Sequence, residues 1–66
     1  MYNEKELKLD MLEKDISIEM LAKQLNKSRQ AIYKKINGQT EWSLQDIRTM
    51  KKMFGWSDLR IRQIFF

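Results

Sequence analysis

The stretch from Ile18 to Gly38, IEMLAKQLNKSRQAIYKKING, constrains the chain more than any other. Leu21, Ala22 and Leu25 fall at i, i+1 and i+4, which places them on one face of a first helix. Asn26-Lys27 breaks that pattern. Ser28 restarts it, and Ile32 and Ile36 repeat the i, i+4 spacing on a second helix. Two short helices crossing steeply over a turn of three to four residues form a helix-turn-helix, here covering about residues 17–37. A steep crossing needs a small residue where the backbones meet, and Ala22 supplies it. The turn needs a residue that tolerates the left-handed region, and after glycine asparagine is the best suited, which favours Asn26. Ser28 can accept from the orphan N–H groups of the second helix and so cap it.

The rest of the chain bounds what this motif can serve. At 66 residues there is room for one small domain, residues 1–66. There is no Cys and no His, so disulfides, thiol chemistry and the usual zinc sites are excluded, and with them an activated nucleophile. The acidic residues are scattered without metal-ligand spacing, and no glycine-rich phosphate loop is present. The expectation is therefore no enzyme, no metal and no cofactor. No apolar run approaches a membrane span, and the opening MYNEKELKLD is not a signal peptide, so no membrane role and a cytoplasmic location are expected. A domain this small without covalent staples is marginally stable alone, which makes an oligomer a reasonable expectation.

Net charge is +4, but its placement matters more. Between Met20 and Thr40 lie five basic residues (Lys23, Lys27, Arg29, Lys34, Lys35) and no acid. The remainder holds 8 basic and 9 acidic residues and is close to neutral. The positive field thus sits on the helix-turn-helix, as binding to a phosphate backbone requires.

Around the motif the pattern predicts three more helices. The first runs from about Asn3 to Glu13, with Asn3 as cap and Leu7, Leu9, Met11 and Leu12 as a broad apolar stripe. Ser17 caps the helix that follows, with Ile16 and Leu21 placed as a hydrophobic staple, and Trp42 and Ile47 flank Ser43 in the same way. Ser43-Leu44-Gln45-Asp46 is a capping-box pattern opening a helix to Phe54, with Met50 and Met53 as core filler and Gly55 as its stop. Ser57 and Asp58 suggest a last helix over 57–66. Its surroundings hold Trp56, Leu59, Ile61, Ile64, Phe65 and Phe66, too many apolar groups for a free terminus. Some must pack on the first helix, and the surplus is a candidate dimer or partner surface. On the helix Ser28–Ile36, Arg29 and Tyr33 share one stripe and Gln30 and Lys34 another, all projecting outward near the helix start. Arginine pairs bidentately with guanine and glutamine with adenine, and lysine reaches guanine or a phosphate. Tyr33 could meet a thymine methyl, bond a phosphate, or fold back on the core.

Leu21-Ala22, Leu25-Asn26, Ser28, Ile32 and Ile36-Asn37-Gly38 together resemble the helix-turn-helix signature of lambda-repressor-like proteins, the group of phage repressors, Cro proteins and XRE-family regulators. With the flanking helices the likeness covers nearly the whole chain. It implies an all-α, compact five-helix domain whose second and third helices form the DNA-binding motif. It assigns base reading to Ser28, Arg29, Gln30, Tyr33 and Lys34. Smaller polar residues are usual at the position of Tyr33, a departure from the family pattern. The loop after the third helix, in the family, lies along the DNA backbone and donates main-chain N–H groups, which makes Asn37, Gln39 and Thr40 phosphate candidates beside Lys27. Ile18 stands where family members often carry a glutamine that reaches a phosphate, so that contact falls to Ser17 and the N–H groups of its helix. The resemblance implies a repressor acting by promoter occlusion in a bacterial host cell, as a homodimer on a pseudo-palindromic double-stranded operator. The alternative is a small phage antirepressor, an interaction module that binds another repressor protein through the apolar tail.

Overall fold

Four serines and an asparagine start the helices of this chain, each by the same local device. In a computed structural model describing residues 1–66, α1 spans Glu4–Lys14, α2 Ile18–Leu25, α3 Arg29–Ile36, α4 Leu44–Phe54 and α5 Asp58–Phe65, with no strand. The side chains of Asn3, Ser17, Ser28, Ser43 and Ser57 each accept from the backbone N–H three residues on, at 3.0–3.2 Å. Each such cap contributes about 1 kcal/mol by pairing a donor that the helix itself cannot satisfy.

The helix ends are equally local. Asp15, Asn26 and Gly55 turn the chain out of α1, α2 and α4 in the left-handed region, at φ 57°, 57° and 71°. α3 ends on a right-handed Asn37, and Gly38 at φ 81° makes the reversal one residue later. Asp15 is the odd member. It places a Cβ in the left-handed region, which strains an L residue, and a negative charge at the negative end of a helix dipole. Asp15→Gly raises stability by about 0.5–1.5 kcal/mol, the relief exceeding the entropy glycine adds to the unfolded chain. A higher urea midpoint at unchanged slope is the expected readout; a lower midpoint would show that Asp15 holds its turn by more than backbone shape.

Each helix contributes one fully buried side chain to the core: Leu7, Leu21, Ile32, Met50 and Ile64. α2 packs on both α3 and α4, and α1 packs on α5. The Cα radius of gyration is 10.6 Å, close to the roughly 10.8 Å expected of a folded chain this long. No helix is long and apolar enough to cross a membrane.

Two expectations about packing are corrected. The stripe on α1 is narrower than the sequence suggests: Leu7 is buried and Met11 half-buried, but Leu9 and Leu12 are 48% and 79% exposed. At about 100° per residue, Leu9 and Leu12 lie 140–200° around the helix from Leu7, on the far side. The tail is also less available as a surface. Trp56, Ile64 and Phe65 belong to the core, leaving Leu59 and Phe66 exposed and Ile61 half-buried. The reason is aromatic. Trp56 stacks on Phe54 at 4.4 Å between ring centroids and meets Phe65 at 5.6 Å. Phe65 in turn touches Tyr2 at 6.0 Å and Trp42 at 6.2 Å.

Ion pairs close the same seam. Arg60 on α5 donates to Asp10 through Nε (3.0 Å) and Nη2 (2.6 Å) and to Glu6 through Nη1 (2.8 Å), both acids on α1. The Trp56 indole N–H donates to the same Asp10 at 2.7 Å. Hydrogen bonding from Arg60 holds the Asp10 carboxyl below the usual carboxylate range, against the opposing effect of burial.

Candidate nucleic-acid interface

The connection between α2 and α3 is three residues, Asn26–Ser28. The left-handed Asn26 lets the Lys27 N–H return to the Ala22 carbonyl at 2.9 Å, which closes the end of α2. Ala22 is buried, as a close approach of two backbones requires. α3 then buries Ile32 and Ile36, which are 0% and 3% exposed, with Ala31 half-buried.

That packing turns the opposite face outward. Ser28, Arg29, Gln30, Tyr33 and Lys34 are all exposed. None of the ion pairs involves Arg29 or Lys34, and no side-chain hydrogen bond occupies Gln30 or Tyr33. Tyr33 does not fold back on the core, remaining 47% exposed. Ser28 spends one lone pair on the Ala31 N–H at 3.1 Å and keeps its hydroxyl hydrogen to donate. Lys27, in the turn, is exposed and unpaired.

Ser17 caps α2 and leaves the N–H groups of Ile18 and Glu19 without an acceptor in the chain. Those two donors, together with the Ser17 hydroxyl, can hold an anion at the start of α2.

The loop after α3 corrects one expectation. Its main-chain N–H groups are already used: Asn37 donates to Tyr33 O (2.9 Å), Gly38 to Lys35 O (3.2 Å), and Gln39 and Thr40 to Lys34 O (2.9 and 3.3 Å). The tight reversal at Gly38 folds these donors back onto the last turn of α3. Any phosphate contact from Asn37, Gln39 or Thr40 therefore comes from their exposed side chains.

Two residues that sequence reasoning missed hold the end of α3 in place. Lys35 turns inward, with Nζ 2.6 Å from Asp46 Oδ2, 3.0 Å from the Glu41 carbonyl and 5.7 Å from the Trp42 ring centre. Asp46 Oδ2 also accepts the Ser43 N–H at 3.0 Å, so the capping box of α4 and the anchor of α3 share one carboxylate. Burial pushes the Asp46 carboxyl up, but Lys35 and both contacts from Ser43 outweigh it and hold it below the usual range. The Tyr2 hydroxyl donates to the Ile36 carbonyl at 2.9 Å, and burial raises its titration. The capping box carried a sequence signal for Asp46, but nothing local marked Lys35 or Tyr2 as its neighbours. Beside them the indole N–H of Trp42 is buried without a hydrogen-bond acceptor.

Four of the 13 basic side chains are paired with acids, and of the nine that are not, Lys5, Lys14, Arg48, Lys52 and Arg62 lie outside the helix-turn-helix. Lys8, Lys51 and Arg60 face acids on α1 and α5, and Lys35 faces Asp46. Lys23, Lys27, Arg29 and Lys34 face solvent without any acid partner. No group of three or more His, Cys, Asp or Glu side chains is placed to hold a metal ion. Compared with protein-family models, with curated proteins and with solved structures, the chain has no match.

Proposed function

We propose that this chain is a lambda-repressor-like transcriptional regulator that binds double-stranded DNA in a sequence-specific way. α2 and α3 act as its helix-turn-helix. Arg29, Gln30, Tyr33 and Lys34, with Ser28 at their head, read base edges in the major groove. Lys27, Ser17 and the side chains of Asn37, Gln39 and Thr40 contact phosphates. The chain binds as a homodimer to a pseudo-palindromic operator with half-sites about 34–36 Å apart, and represses by occluding the promoter.

The observation that carries this reading is a basic stretch that contains no acid. None of the 9 acids lies between Met20 and Thr40, and the four solvent-facing cations of that stretch have nothing in the chain to neutralise them. An unneutralised cluster beside an exposed, polar helix face suits a polyanion that also carries hydrogen-bonding edges. A second reading, an antirepressor-like module that binds another repressor, draws on the exposed Leu59 and Phe66 of the tail.

Selection from a random duplex library at about 150 mM salt separates the two. A palindromic consensus with two half-sites one turn apart is the expected result. Purely unspecific binding that disappears with salt would overturn it in favour of the protein partner, whose apolar interface responds little to salt.

Two substitutions refine the reading. Arg29→Ala costs about 1–3 kcal/mol of operator affinity and relaxes preference at one base position. A preference lost evenly over all positions would remove Arg29 from the readers. Lys27→Ala weakens all duplexes alike and lowers the slope of log affinity against log salt by about one. An unchanged slope would mean that Lys27 touches no phosphate.

A further inference from the structure

Tyr33 is the one aromatic member of the exposed face of α3. Its ring stays outside the aromatic cluster of Tyr2, Trp42, Phe54, Trp56 and Phe65. At 47% exposure it keeps much of its apolar surface in water, one helical turn beyond Arg29 and next to Lys34. In a major groove the base pairs present hydrogen-bonding edges and a single apolar group, the 5-methyl of thymine. A phenol hydroxyl placed on a phosphate carries no base preference. A phenol ring placed on a methyl removes apolar surface of both from water.

We infer that Tyr33 makes the site selective for thymine, its ring packing on the 5-methyl group. The inference rests on the DNA-reading role proposed above and adds the identity of one base. Side chains at i and i+4 stand about 5–6 Å apart, and successive base pairs about 3.4 Å. The thymine therefore lies one or two base pairs from the base that Arg29 contacts.

The test uses the full chain and the consensus duplex from the library selection. Replacing the thymine of each half-site with deoxyuridine deletes the methyl and leaves every hydrogen-bonding edge intact. Affinity of the unmodified protein is expected to fall about fourfold per half-site, the worth of one buried methyl group. Tyr33→Phe keeps that ratio, because the ring remains. Tyr33→Ser brings it to about one, and because each ratio compares two duplexes on the same protein, a change in stability does not enter it.

Equal binding to the thymine and deoxyuridine duplexes at every position would overturn the inference while leaving DNA reading intact. So would a methyl effect that survives in Tyr33→Ser. A uniform loss of affinity in Tyr33→Phe, with no methyl effect, would assign the hydroxyl to a phosphate instead. Failure to obtain any consensus would defeat the DNA-reading role itself and this inference with it.

Discussion

Ile32→Ala leaves much of the chain unfolded at room temperature. Ile32 is 0% exposed and is the one fully buried side chain that α3 gives to the core. Truncating a buried isoleucine costs about 2–5 kcal/mol, the lost transfer energy plus the cavity that remains. A domain of this size without disulfides or metal has only about 3–5 kcal/mol in total. The neighbouring helices have little freedom to collapse into the space, because each already commits its own buried residue, Leu21 from α2 and Met50 from α4 among them. Far-ultraviolet circular dichroism and a urea titration check the result. The control is on the same helix one residue away: Tyr33→Ala costs far less than Ile32→Ala, because Tyr33 is 47% exposed and lies outside the core. Equal midpoints for Ile32→Ala and the parent would mean that α3 does not pack through this face. The exposed stripe from Arg29 to Lys34 would then have no fixed direction.

The contrast between those two neighbours also marks what a sequence can disclose. Helix starts were legible at Asn3, Ser17, Ser28, Ser43 and Ser57 because capping is chemistry within three residues. The outward face of α3 was legible because Ile32 and Ile36 leave only one side free. Leu9 and Leu12 misled because apolar residues on opposite faces of α1 read as one stripe until their angles are compared. Phe65 misled because its partners Tyr2, Trp42 and Trp56 sit far away in the chain and carry no local signal. Lys35 was hidden for the same reason. It belongs by composition to the basic stretch, yet its ammonium faces Asp46, 11 residues on, instead of solvent. The main-chain N–H groups of Asn37, Gln39 and Thr40 were expected to lie along a DNA backbone, but they bond the carbonyls of Tyr33 and Lys34 in the last turn of α3, a closure that no local pattern signals.

Removing the Asp46 carboxylate has an effect as large as the core cavity, and it depends on pH. Asp46 and Lys35 side chains are 4% and 12% exposed, so Asp46→Ala strands an ammonium group away from water and breaks the cap of α4 in the same step. Losing one partner of a buried pair costs about 3–5 kcal/mol. Protonation imitates part of this. The folded-state titration of Asp46 lies below its unfolded value, so the folded chain binds fewer protons as pH falls through the carboxylate range. The stability it confers is complete above the unfolded value of about 3.9 and is lost as pH drops towards the folded one. Asp10, depressed by Arg60, contributes with the same sign over the same window. The urea midpoint is therefore flat above about pH 5 and falls steeply below about pH 4. Asp46→Asn starts from a lower midpoint at neutral pH, since Lys35 has lost its counter-charge, and shows a shallower acid fall, the part that remains belonging to Asp10 and to Asp58, which Lys51 holds below the usual range. A parent midpoint that holds steady down to pH values near 3 would mean that neither carboxylate is held by its cation as the geometry requires. An Asp46→Asn variant as acid-sensitive as the parent would place the whole linkage on Asp10 and Asp58 and none on the anchor of α3.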